Sequence, residues 1–423
     1  LTTETQAGEP QDAGTYSRDK IILLLGLITY GLGQTLLFVI WPPLISMMDQ
    51  SREEFGIIMA ASNLVLALSA PFWGKASDKW GRKNIIMLGM GGYCIGTILV
   101  ALGLEGGVSG TLVAWPLFLV LLVARLIYGG LASAIQPAAS AYIADTTPPS
   151  KRAQGLALLG VSAGIGTVIG PTLGASPAML NAIFPGLNLS PISPMYLAIF
   201  FSLCGIALIH FYLPEPPARP STDDQKKVDV KPWDPRVWPY LTMWFFFFMF
   251  FTMLQLITVF YIEDFIGITG LNNIQLQASL TLISMAVCVI IMQAFVLQIY
   301  NVRAKILLRL ACPVFATGMT ILIFASSMWP VYFAYVLFGV AFSFATPGIT
   351  GSSSLSVNAD EQGTVAGYLA SASILGMVIG PLAGPFLFEA FSPTFPIMVA
   401  AIGLVCLSVF AFFVNAPDPE AKS

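Results

Sequence analysis

The sequence predicts an all-α membrane protein whose twelve transmembrane helices form two pseudo-symmetric six-helix bundles, and three observations carry that expectation. The first is composition: 56% of the 423 residues are hydrophobic and only 10% are charged. A mean hydropathy of +0.80 is too apolar for a surface wetted on all sides. The second is length. Continuously apolar runs of the ~20 residues that cross a ~30 Å hydrocarbon core as helix recur along the chain, and they lack the alternation of membrane-barrel strands. The third is repetition: Val168-Ile-Gly-Pro-Thr-Leu-Gly174 returns as Val378-Ile-Gly-Pro-Leu-Ala-Gly384, an offset of 210 at which Gly129 also meets Gly339 and Pro137 meets Pro347. Several matches in one order argue for a duplicated unit.

In chain order, residues 1–17 are polar and are expected to form a disordered tail. An N-terminal bundle is expected over 18–213, with spans at 21–48, 55–77, 84–104, 113–144, 153–176 and 194–213. The first run is too long for the apolar core of a cleavable signal peptide. The proline- and charge-rich stretch at 214–237 is the expected linker, since it is too polar to enter a bilayer. A C-terminal bundle is expected over 238–414, with spans at 238–262, 274–300, 304–327, 329–355, 363–390 and 394–414, followed by a tail at 415–423. The run Trp244-Phe-Phe-Phe-Phe-Met-Phe-Phe251 is apolar on every side and is expected to face lipid. All five cysteines lie inside apolar runs and suggest neither a disulfide framework nor a metal site.

Charge sets the topology. With twelve spans, 17 of the 19 Lys and Arg residues fall in the tails and loops of one side, Arg52 lies on the other, and Arg125 falls within a span. The positive-inside rule then places both termini in the cytoplasm, and a bacterial inner membrane is the expected location. The net charge of −3 gives no reason to expect a nucleic-acid partner.

Three motifs carry chemistry. Between spans two and three, Gly74-x-x-x-Asp78-x-x-Gly81-Arg82-Lys83 pairs two glycines that allow tight backbone geometry with one acid and one forked cation. In span four, Arg125, Gly129, Ala132 and Gln136 fall on one helical face. A cation at mid-membrane costs ~2.5–3.5 kcal/mol on insertion scales, so Arg125 is expected to face a cavity or a partner. In span five, Gly166, Gly170 and Gly174 form a smooth stripe beside Pro171, and Gly376, Gly380, Pro381 and Gly384 repeat it in span eleven. Small residues let helices approach closely and proline bends them, so both stripes are expected to be hinges or sliding seams.

Signature loop, helix-four Arg and Gly-Pro stripe together resemble the twelve-helix drug:proton antiporters of the major facilitator superfamily. This chain departs from their pattern at Tyr128, at Ala175 and in the second signature loop, which survives only as a basic remnant at 300–305. The resemblance implies a latch of Gly74, Asp78, Gly81, Arg82 and Asp145 in the outward-facing state, with Arg82 on Asp145 and Asp78 at the start of helix eleven near Gly363 and Thr364.

The expected function is secondary active transport, with proton-coupled export of a small organic compound by alternating access. It would need no cofactor beyond a proton gradient, and the expected partners are the lipid bilayer and the substrate, bound by a monomer. Such antiporters usually carry an intramembrane carboxylate. Here the acids nearest the spans, Asp145, Glu263, Asp264 and Glu389, all sit at their ends. A neutral or anionic amphipathic substrate is therefore expected at Arg125, in a cavity lined by Tyr30, Gln34, Asn63, Gln136, Gln255, Gln277 and Tyr335. A siderophore or metabolite exporter, an uptake carrier and a non-transporting receptor are the alternatives. An enzyme is not expected, since no metalloprotease, phosphate-loop or nucleophile motif occurs.

Overall fold

The structure, a computed structural model, describes residues 13–147, 152–216, 230–293, 302–358 and 361–414. Among them every regular element is helical. The first half contains α1 (Ala13–Leu44), α2 (Arg52–Trp80), α3 (Arg82–Val108), α4 (Ala114–Ala132), α5 (Ile135–Thr146), α6 (Arg152–Ile183) and α7 (Ser193–Tyr212). The second contains α8 (Trp238–Phe260), α9 (Leu271–Ile291), α10 (Ala304–Ile323), α11 (Met328–Leu355), α12 (Gln362–Ala390) and α13 (Phe395–Phe413). Eleven described segments are long and apolar enough to cross a membrane, α4 and α5 counting as one. The 32-residue α6 stands where the fifth run was expected. The N-terminal tail is shorter than expected because α1 begins at Ala13; residues 1–12, most of the linker (217–229), 300–301 of the basic remnant and the tail at 415–423 lie outside the described residues.

The repeated glycine stripes build the same contact twice. On α6, a Cβ at Gly166 would stand 2.7 Å from the backbone of Gly31, and one at Gly174 2.8 Å from Val39, both on α1. On α12, a Cβ at Gly376 would stand 2.8 Å from the Met249 amide, and one at Gly384 3.1 Å from Met253, both on α8. Side chains larger than hydrogen would force these backbones apart, and close approach is what drives helix association where lipid is as apolar as protein. Each stripe thus seals a contact within its own half.

Two expectations about single helices change. The aromatic run on α8 does not face lipid: Trp244, Phe247 and Phe250 are buried, and the Phe247 ring lies 5.2 Å from that of Phe315 on α10. All-round apolarity here marks an interior helix, which periodicity alone cannot separate from a lipid-facing one. Span four is jointed at Ser133–Ala134, between α4 and α5. Pro137 explains the joint, because its ring excludes the carbonyl four residues earlier, that of Ser133.

The face carrying the loop between α2 and α3 is the basic face. The halves meet where α2 crosses α12 and α6 crosses α9, and on the opposite face Arg52, at the start of α2, bridges them.

Candidate functional site

The signature loop folds around Gly81, whose φ of 91° is a conformation open to glycine. Arg82 Nε donates to Asp145 at 3.0 Å, and its other nitrogens reach Asp78 and the Ser77 hydroxyl. Asp78, Arg82 and Asp145 thus lie together within one half, and the latch onto α12 expected of the outward-facing state is not made among the described residues. Asp78 is 56% exposed, and among the described residues it has no bond to α12, where space is open around Gly363. Gly74 needs no special geometry: it lies inside α2, and a Cβ there would make ordinary contact with Pro137 at 3.7 Å. The sequence reading missed Glu215. Its carboxylate accepts from the backbone N–H groups of Arg82 and Lys83 (3.1 Å), capping the N-terminus of α3, where a negative charge is favoured. A Cβ on Gly81 would stand 2.9 Å from that carboxylate.

Arg125 is 3% exposed. Its guanidinium lies 4.2 Å from the ring centroid of Tyr128, which packs on Tyr93, which in turn packs on Tyr30. Nε and Nη1 have no hydrogen-bond partner. Gly129, the next turn, lets α4 close on α2, where the Ser62 hydroxyl donates to the Arg125 carbonyl at 2.9 Å. A buried cation with two unmet donors is exceptional and needs a functional account.

Only some of the expected cavity residues gather round it. Tyr30 does, through Tyr93. Gln136 is exposed where Gly129 and Ala132 are buried with Arg125, and it lies on α5, beyond the joint at Ser133–Ala134. Tyr335 is 2% exposed and bonded to Thr258, so it belongs to the core of the second half. Gln277 accepts from Tyr332, and Gln255 is half-buried on α8. Asn63 spans the halves, donating to the Met377 carbonyl at 2.8 Å. Gln34 lies on α1, and its side chain is outside the described residues.

The opposite face holds a cluster the motif search passed over. Arg52, in the first turn of α2, forks onto Asp264 at 2.5 and 3.1 Å and reaches Glu389 at 3.2 Å. It also lies over the rings of Phe260 (4.7 Å) and Phe388 (5.3 Å). A π turn at Tyr261–Phe265 ends the seventh span and carries Asp264 to this position. Ser51 and Glu54 form a capping box that fixes the start of α2. Beside the bridge is a cavity of about 380 Å³ lined by Arg52, Glu53, Glu263 and Glu389. The signal was present in the sequence: Arg52 is the lone cation of its side.

Two bundles of like construction, a charged cluster on each face and a buried cation between them define a membrane transporter, a class whose parallel halves rock about a midplane site. The family model of the Major Facilitator Superfamily matches residues 23–373 and 274–423, and the chain belongs to that superfamily. It is 29% identical over 219 residues to the class B tetracycline resistance protein of Escherichia coli, covering 51% of this chain and 49% of that protein. It is 27% identical over 154 residues to multidrug resistance protein 2 of Bacillus subtilis, 36% of each. The chain thus spans half or less of the relatives it matches. Among solved structures, a bacterial homolog of the human lysosomal transporter Spinster, inward-facing and unoccupied, superposes with a TM-score of 0.71 at 16% identity, covering 95% of this chain and 97% of that one. The human organic anion transporter MFSD10 gives 0.66 at 18%, covering 95% and 100%. At these identities the likeness is one of fold.

Proposed function

We propose that the protein exports a small neutral or anionic amphipathic organic compound in exchange for protons, by alternating access. Arg125 carries the reading: a guanidinium with two unmet donors, walled by tyrosine rings, suits a carboxylate or other oxyanion with an apolar body. Among the described residues no carboxylate lies near the middle of a spanning helix, so a lipophilic cation would meet no buried counter-charge. Similarity to tetracycline and multidrug resistance proteins supports the export direction. The basic face is the cytoplasmic one by the positive-inside rule, with both termini there, in a bacterial inner membrane. The Arg52 cluster then closes the outside, and the described conformation faces inward. The transporter works as a monomer with a proton gradient and no cofactor.

The test is flux in proteoliposomes with an imposed pH gradient, using cationic, neutral and anionic amphiphiles. Arg125→Ala is expected to abolish transport of anions and its pH dependence, while Arg125→Lys keeps a fraction of it. Transport of cations alone, or intact anion flux in Arg125→Ala, would overturn the proposal.

A further inference from the structure

A proline inside a helix has no N–H, so the carbonyl four residues before it loses its helical donor. α12 contains two, Pro381 and Pro385, which free the carbonyls of Met377 and Pro381. Both freed oxygens are met by α2, from the other half. The Asn63 amide donates to the Met377 oxygen at 2.8 Å. Gly56 lies so close to the Pro381 oxygen that a Cβ would collide with it. Gly56, Ala60 and Asn63 fall at i, i+4 and i+7, one face of α2, and Ala60 between them is buried.

The matching proline of the first half is handled differently. Pro171 frees the Thr167 carbonyl, and the Thr35 hydroxyl of α1 in the same half reaches it at 3.4 Å. That donor stays in place whichever way the halves tilt. The two oxygens of α12 take their partners from across the interface, so they keep them only while the face opposite the signature loop is closed.

We infer that Asn63 is a positioning residue of the transport cycle: with Gly56 it docks α2 on the two carbonyls freed by the prolines of α12, and so holds that face closed. The bond lies inward of the Arg52 bridge, one residue along α2 from Ser62, which holds the Arg125 carbonyl and not its guanidinium. It therefore stands independently of the proposed substrate and of the direction of transport. Away from bulk water an unmet carbonyl is unfavourable, which biases the resting transporter to this state. When the halves part, both oxygens open onto the pathway and take water.

Amide hydrogen exchange of the full chain in nanodiscs tests this without substrate. Asn63→Leu keeps the size and removes the donor. Exchange in the first turns of α2 and the last turns of α12 should rise about three-fold, the equilibrium equivalent of an average interhelical hydrogen bond, and fall at the opposite ends of both helices. In a Pro381→Ala background, which restores an N–H to the Met377 carbonyl, Asn63→Leu should add nothing. Exchange unchanged by Asn63→Leu, raised equally on both faces, or raised by the same factor in both backgrounds would overturn the inference. Should Pro381→Ala not fold, Gly56→Ala replaces it: the added Cβ must shift exchange in the same direction as Asn63→Leu, and an unshifted pattern overturns the inference.

Discussion

Removing Arg52 should open the face that its cluster closes. Arg52→Ala deletes a forked bridge to Asp264 and a 3.2 Å contact to Glu389, and it leaves those acids beside Glu263 without a counter-charge. Charge-assisted hydrogen bonds contribute ~1.5–3 kcal/mol when buried, but fully exposed ion pairs only ~0–1 kcal/mol. Here the Arg52 side chain is 19% exposed and its partners 34% and 46%, so an intermediate value applies. With the contacts to two aromatic rings included, the loss comes to ~2 kcal/mol, or about 30-fold in the ratio of closed to open states. Spin labels on the first turn of α2 and the last turn of α12 would report this as a second, longer distance population. Arg52→Lys, with a charge but no fork, should fall between the two, and high salt should reproduce part of the effect. A closed fraction altered by less than about two-fold in Arg52→Ala would refute the bridge as a closure, since exposed pairs of no consequence are common.

Two further outcomes follow from the basic face. Gly81→Ala should destabilise the protein by ~1–3 kcal/mol through its left-handed φ and push the Glu215 carboxylate off the start of α3; a thermal midpoint unchanged from wild type would contradict this. Beside the linker, Arg236 bonds both Asp234 and Glu361. The Arg236 side chain holds the Asp234 carboxyl below its usual range, and the Asn358 backbone N–H, then Arg236, does the same for Glu361. Depressed carboxylates keep such bonds above the ordinary carboxylate range and lose them as the pH falls through the lowered values. The fluorescence of Trp233 and Trp238, which flank this clasp, should therefore stay flat from neutral pH and change only below about pH 4; a transition centred near neutrality would show that some other group controls it.

The bundles and the glycine stripes were legible because they are local: the length of the apolar runs and a repeated heptapeptide carry them. Arg125 was legible for the same reason, a charge where none belongs. Residues whose meaning depends on which helices touch were not. Asn63 and Tyr335 look alike as polar groups in apolar runs, yet one bridges the halves and the other bonds Thr258 inside one half. Gln136 and Arg125 read as one face of a single helix, yet a joint sets them on different ones. Glu215 lies in a stretch whose composition reads only as linker, and its partners are 132 and 133 residues away in sequence.

The joint in span four sets a limit of its own. α4 has 19 residues and α5 has 12, so at ~1.5 Å per residue the rods measure about 28 and 18 Å, and neither alone clears a ~30 Å core. The break must therefore lie at membrane depth, where irregular backbone survives only if protein shields it from hydrocarbon. Ser133 and Ala134 are buried, and the Ser133 hydroxyl turns back to the Gly130 carbonyl at 2.9 Å. The shield is α3, and it fits because Gly89 has no side chain: a Cβ there would press on Ile135 at 2.7 Å and on Ala134 at 3.2 Å. One hydrogen atom on a neighbouring helix thus keeps lipid tails away from a bare turn of backbone two turns from Arg125.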